Sequence, residues 1–138
     1  MDWQQMRRRC PSTRFVCIGR LRDFRFAIAR HSRLRNCGTA NIIPETGSEV
    51  WGVVYDVSVE DLGKLDSFED GYRREHVVVS AHRNGHGALE VLVYIAPLEE
   101  NAPPPNRQYR QHLLDGAVHW RLPEAYRALL QAIPVTER

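Results

Sequence analysis

An α+β fold is predicted by three features of the chain. Phe24, Phe26 and Ile28 alternate with Arg25, Ala27 and Ala29, the period of a half-buried strand. Val59, Leu62, Leu65 and Phe68 recur instead at helical spacing behind Ser58, a residue type suited to starting a helix. Asn84-Gly85 lies between two strand-like runs, residues 76–81 and 89–94. A type I′ hairpin turn needs positive φ at both central positions, and Asn-Gly meets that need at little strain. Strands interspersed with helices and closed by a hairpin place the chain in the α+β class.

Taken in order, residues 2–9 read as a short basic helix ended by the turn Pro11-Ser12-Thr13. Extended segments follow. Ala40-Asn41-Ile42-Ile43 and residues 50–55 are read as separate strands, with Pro44 and Gly47 marking the connection between them. Ser58 with Asp61 three residues later reads as a capping pair for a helix whose apolar stripe is Val59, Leu62, Leu65 and Phe68. The Asn-Gly hairpin comes next, then a Pro-rich loop over residues 97–105. Helices are expected near 107–118 and 123–133, the second carrying Tyr126, Leu129, Leu130 and Ile133.

The 138 residues form one expected domain, 1–138, long enough to bury a core without staples. Hydrophobic residues are 43% of the chain, yet no apolar run approaches the ~20 residues of a membrane span. With no signal-peptide pattern, cytoplasmic residence is the expectation and no membrane is expected as partner. Cys10, Cys17 and Cys37 are odd in number and form no Cys-x-x-Cys pair, so they support neither a disulfide framework nor a zinc site. His82 and His86 stand four apart but bracket a turn, so they too are not read as a metal pair.

Charge is unevenly placed. Residues 1–40 hold ten arginines against Asp2 and Asp23, a net of +8, whereas the rest has nine basic and fifteen acidic residues, a net of −6. Such asymmetry can mark nucleic-acid binding. The arginines are scattered over a helix, a turn and a strand without interleaved exposed aromatics, which favours a solvated face. Attraction of acidic substrates is a further consequence.

The run Leu65-Asp66-Ser67-Phe68-Glu69-Asp70-Gly71-Tyr72-Arg73-Arg74 is where a helix is expected to hand over to a strand. Glu69 then falls in the last helical turn. The negative end of the helix dipole and the flanking Asp66 and Asp70 all disfavour its ionised form, so a raised pKa is expected. A carboxyl group so placed suits proton transfer. The alternative is one more solvated acid in a helix-end cluster.

With Gly47-Ser48-Glu49-Val50-Trp51-Gly52-Val53-Val54-Tyr55 upstream and Ala102-Pro103-Pro104-Pro105-Asn106-Arg107-Gln108-Tyr109 downstream, the chain resembles the gamma-glutamyl cyclotransferase-like family. The order and spacing of the three blocks match over nearly the whole chain. The resemblance implies a small, mostly antiparallel, barrel-like sheet flanked by helices. It also implies conversion of a gamma-glutamyl amine or peptide into 5-oxoproline and a free amine, with no metal, cofactor or protein nucleophile. The substrate's own α-amino group attacks the γ-carbonyl, and Glu69 corresponds to the family's catalytic acid/base. Tyr72, Tyr94 and Tyr109 correspond to aromatic residues lining the substrate pocket, and Trp51-Gly52 to the strand forming its floor. Each of these also has an ordinary packing reading, Tyr94 within a strand and Tyr109 at a helix start.

Two features depart from the family pattern. Asp70 stands where Glu-Gly is commoner. Nothing in the chain matches the family's opening strand and its Tyr-Gly-Ser-Asn turn, whose N–H groups stabilise the oxyanion, so that segment is expected to lie upstream of residue 1. Low activity and self-association through an incomplete sheet are the corresponding expectations. The reading is therefore a gamma-glutamyl cyclotransferase acting on a small-molecule substrate. Its alternatives are a catalytically silent ligand-binding module of the same fold and a basic protein that binds nucleic acid.

Overall fold

Asp2 starts the first helix by accepting the Gln5 N–H on its carboxylate at 3.1 Å. A computed structural model of the chain describes residues 2–33, 35–67, 71–82 and 87–136. Helix α1 spans Trp3–Arg9, and Arg7, Arg8 and Arg9 fill its last turn, where cations suit the negative end of the dipole. The turn that follows is closed by Thr13, whose hydroxyl donates to the Cys10 carbonyl at 2.6 Å.

Two long strands then form the main ribbon. Strand β1, Arg14–Ser32, pairs antiparallel with β2, Cys37–Asp56, from Arg14 opposite Asp56 to Ser32 opposite Cys37. Register shifts interrupt the ladder between Phe15 and Cys17, Arg22 and Phe24, and Ile28 and Arg30. Pro44 and Gly47 do not end β2, which is one strand through both, but they bound a wide bulge: the ladder passes from Glu49 opposite Arg22 to Pro44 opposite Phe24, leaving residues 45–48 unmatched. Strand β2 lies at the edge of a sheet ordered β2-β1-β3-β4, and an edge strand tolerates a proline because one side of its backbone has no ladder to serve. The bend is absorbed opposite, where Asp23 adopts φ 63 and its carboxylate accepts the Gly47 N–H at 3.0 Å.

The ribbon also pairs three of the ten N-terminal arginines. Arg14 faces Asp56, Arg20 faces Glu49 and Arg25 faces Glu45, at 3.3, 3.8 and 3.6 Å. The pairs of Arg14 and Arg25 are exposed and fit the solvated-face reading, whereas Arg20 is half-buried over the Trp51 ring at 5.9 Å.

Helix α2, Val59–Asp66, is capped as expected, with the Ser58 hydroxyl accepting the Asp61 N–H at 3.1 Å. Its packing differs from the expected stripe. Val59 is 89% exposed, and the side chain it buries most is Asp61, at 5%. The helix lies against the α1–β1 turn: Asp61 accepts the Ser12 N–H at 2.8 Å, and the Cys10 thiol donates to the Asp61 carbonyl at 3.4 Å. A short helix in that position is held by polar contacts, so helical spacing of apolar residues does not name its buried face. The helix ends at Asp66, with Ser67 as its C-cap, three residues before Glu69.

Strands β3, Arg73–His82, and β4, Ala88–Ile95, pair antiparallel from Arg73 opposite Ile95 to Ser80 opposite Ala88. The expected Asn84-Gly85 turn lies outside the described residues, as does His86. Strand β3 joins β1 over only three pairs, Ile18–Arg20 with Ser80–His82, and the two strands splay apart beyond them. Helices α3, Arg107–His119, and α4, Glu124–Gln131, match the expected positions, and Asn106 caps α3 on the Tyr109 N–H at 2.8 Å. Ala117, Leu122, Tyr126 and Leu130 form the core cluster, packed on Ile18, Phe26 and Trp51 of the ribbon. Leu129, on the same helix, is 51% exposed. Cys10, Cys17 and Cys37 are buried free thiols. Among the described residues no helix is long and apolar enough to cross a membrane.

Candidate functional site

The site is built around one peptide. Ala40 stands opposite Ile28 on the edge strand β2, and two tyrosines distant in sequence meet on it. Tyr72 donates its hydroxyl to the Ala40 carbonyl at 2.7 Å, and the Ala40 N–H donates to the Tyr109 hydroxyl at 2.9 Å. Thr39 lies 3.1 Å from the Tyr72 oxygen. Since the single Tyr72 proton is on Ala40, the Thr39 hydroxyl is the donor there. Two phenols thus satisfy backbone groups that a further strand would otherwise bond.

Neighbouring segments lock this edge. The Gly38 N–H donates to the Pro104 carbonyl at 3.0 Å. The Asn41 side chain takes both backbone groups of Ala96, donating to its carbonyl at 2.8 Å and accepting its N–H at 3.1 Å. Arg30, opposite Thr39, stacks over the Tyr72 ring at 4.9 Å, and Arg35 over the Tyr109 ring at 5.1 Å. Gly71 has φ 80, and a Cβ there would fall 2.2 Å from the Arg30 guanidinium. The left-handed backbone favours glycine there, and a Cβ would also have to displace the tip of the Arg30 side chain.

A second cluster closes the end of α2. Tyr94 donates its hydroxyl to Asp66, and Arg74 grips the same carboxylate with two N–H groups, Nε at 2.9 Å. The Arg74 and Tyr94 hydrogen bonds pull the Asp66 carboxyl down to about 2. Asp66 therefore does not act as an uncompensated negative charge. A carboxyl whose folded pKa is depressed stabilises the protein above its ordinary value, 3.8, and that contribution is lost as pH falls through about 2. The stability difference between the parent chain and Asp66→Asn should therefore be constant at neutral pH and shrink between about pH 4 and 2. Denaturant melts over that range would show it, and an unchanged difference at pH 2 would contradict it.

The expected site residues distribute as follows. Tyr72 and Tyr109 come together on Ala40, and Tyr94 joins the Asp66–Arg74 pair. Trp51 sits elsewhere: it packs on the α3–α4 cluster, meets the His82 ring edge-on at 5.0 Å, and donates its indole N–H to Glu49 at 3.0 Å. Gly52 pairs with Gly19 on the same stretch. Glu69, with Asp70, lies outside the described residues, between the capped end of α2 and Gly71. Sequence reasoning missed Arg30, Arg35, Thr39 and Ala40, because their partners are thirty or more residues away and no local pattern signals them.

A model of the AIG2-like family matches residues 49–130. The chain belongs to that family. Gamma-glutamylcyclotransferase of Mus musculus is 31% identical over 135 residues, covering 94% of this chain and 71% of the mouse protein. The Homo sapiens protein of the same name is 32% identical over 131 residues, covering 91% and 69%. Among solved structures, a gamma-glutamyl cyclotransferase superposes with a TM-score of 0.88 at 28% identity, covering 98% of this chain and 83% of that one. YkqA of Bacillus subtilis, at 20% identity and a TM-score of 0.71, shares the fold. The AIG2-like match spans Trp51, Gly52, Glu69, Tyr72, Tyr94 and Tyr109, so every expected site residue falls within it.

Proposed function

We propose that this chain is a gamma-glutamyl cyclotransferase that releases 5-oxoproline and a free amine or amino acid from a small gamma-glutamyl substrate. The observation that carries this reading is its membership of the AIG2-like family together with the named relatives it resembles along most of its length. The reaction needs no cofactor in this reading. The substrate's α-amino nitrogen forms a bond to the γ-carbonyl carbon, and the bond from that carbon to the leaving nitrogen breaks. Intramolecular attack of this kind can have an effective molarity on the order of 10⁵–10⁸ M, so the protein's task is to hold the substrate folded and move one proton. Glu69 takes the proton from the α-ammonium and returns it to the leaving amine. Tyr72, Tyr109 and Tyr94 shape the pocket, and the Ala40 peptide fixes the first two.

The test is 5-oxoproline release from a panel of gamma-glutamyl dipeptides and gamma-glutamylamines. Release from any member at a rate above the uncatalysed background supports the reading. No release from the whole panel, with binding retained, would favour the silent binding module.

The assembly proposed is a homo-oligomer. Strand β3 pairs with β1 over three residues only, so its backbone groups from residue 73 to 79 on the side away from β4 have no strand opposite among the described residues. Such an edge invites pairing with another chain. Light scattering is expected to show association that grows with protein concentration, and a strict monomer up to about millimolar concentration would argue against it.

A further inference from the structure

We propose that Asp66 and Arg74 form a staple that positions the acid Glu69, a role that rests on the cyclotransferase reading. Glu69 stands three residues after Asp66 and three before Tyr72. The fold anchors both of these flanking residues. Asp66, the last residue of α2, is held by two guanidinium N–H groups of Arg74, from β3, and by the Tyr94 hydroxyl, from β4. Tyr72 is held on β2, where its hydroxyl donates to the Ala40 carbonyl at 2.7 Å. Three residues reach about 11 Å at most however the chain runs, so covalent connection alone keeps Glu69 within that reach of both anchors.

The Arg74 contact also closes the segment on itself. Asp66 and Arg74 are eight residues apart in sequence and touch, so the stretch 66–74 that carries Glu69 has its two ends joined. Joining the ends of a segment removes conformations that it would otherwise sample. Exposed ion pairs contribute little stability by themselves, and Arg14 with Asp56 and Arg25 with Glu45, 3.3 and 3.6 Å apart on neighbouring strands, are of that kind. Asp66 differs in receiving a two-pronged guanidinium contact together with a phenol, and in tying a helix end to two strands. Two-pronged pairing fixes orientation as well as distance. Its contribution is therefore to geometry, and a misplacement of about 1 Å caused away from the chemistry can cost about 10²-fold in rate. Tyr94 is placed independently of the carboxylate, because its residue stands opposite Arg74 in the β3–β4 ladder.

The experiment measures 5-oxoproline release against substrate concentration for the parent chain, Asp66→Ala, Arg74→Gln, the two combined, and Arg74→Gln in a Glu69→Gln background. Thermal melting reports folding, and Arg14→Gln serves as the control for losing an exposed ion pair. Each single change is expected to lower kcat about 10–100-fold with KM nearly unchanged. The combined variant should be no slower than the poorer single one, since either change opens the same staple. Arg74→Lys keeps the charge without the two-pronged contact and should recover only part of the loss; it carries the same test if a truncated variant does not fold. With the acid already removed in Glu69→Gln, Arg74→Gln should cost nothing further. Unchanged kcat in a folded Asp66→Ala or Arg74→Gln variant overturns the staple. A loss confined to KM, or one as large in Glu69→Gln as in the parent chain, overturns it too, because the cluster would then not act through the acid. An equal fall in Arg14→Gln would reduce the effect to general stability and have the same consequence. Release by the parent chain with unaffected variants removes the staple alone, whereas no release from any gamma-glutamyl substrate removes the cyclotransferase reading and the staple with it.

Discussion

Glu69→Gln is expected to lower 5-oxoproline release by about 10²–10⁴-fold, the usual worth of a general acid/base, with an unfolding midpoint close to that of the parent chain. The amide keeps the size and much of the hydrogen bonding of the acid but cannot carry the proton. Ring closure needs that transfer twice: the α-ammonium is no nucleophile until it loses a proton, and the amine leaves poorly until it gains one. A loss in turnover with little change in substrate binding would identify the group as acting on the reacting atoms. Full activity in a folded Glu69→Gln variant would exclude the assignment and move it to Asp70, the adjacent acid.

Asp66, a neighbour of that acid along the chain, is not an uncompensated charge in the fold. Reading along the chain, Asp66 looks like a like-charged neighbour that raises the pKa of Glu69. In the fold its charge is matched by Arg74, and the helix dipole ends at Asp66 itself.

What could be read beforehand was local, and what could not was long-range. The Ser58 cap works through a donor three residues away, so the residue types alone announce it. The alternation of Phe24, Phe26 and Ile28 signals strand because its period depends only on the pleat. Pro44 and Gly47 marked a real interruption of the ladder but not a strand end, because an edge strand can bulge there and resume pairing with β1. Val59 misled because α2 rests on Ser12 and Cys10 through Asp61, contacts spanning 49 and 51 residues. Tyr72 and Tyr109 were named as pocket residues through family resemblance, yet the peptide on which they meet was not. Ala40 has no chemistry of its own, and its importance arises from tyrosines 32 and 69 residues further along. Arg30 and Arg35 belonged to a basic run, and their stacking on Tyr72 and Tyr109 could not be read from it.

Gly38→Ala is expected to destabilise the chain by about 2–4 kcal/mol, combining overpacking with loss of a buried backbone hydrogen bond. A Cβ at Gly38 would stand 1.7 Å from the Pro103 carbonyl oxygen and 2.6 Å from Ile28 Cγ2. The first is backbone and cannot rotate away as a side chain tip would. To admit one methyl group, the Pro-rich loop must retreat from β2, and the Gly38 N–H bond to Pro104 must lengthen or break. The loop is poorly placed to yield, since Pro105 is fully buried and its carbonyl accepts the Thr136 N–H at 3.0 Å. The disturbance is also delivered to the site. Gly38 precedes Thr39 and Ala40, the partners of Tyr72 and Tyr109, and the displaced loop leads into the helix that carries Tyr109. Gly63→Ala is the matched control: nothing lies within 4 Å of its Cβ position inside α2, and alanine there should stabilise by about 0.5–1 kcal/mol through helix propensity. Denaturant unfolding of the two variants should move in opposite directions, and substrate affinity should fall only in Gly38→Ala. Equal midpoints for Gly38→Ala and the parent chain would mean that the loop can leave β2 freely, and that the Ala40 peptide does not depend on it to hold the two tyrosines.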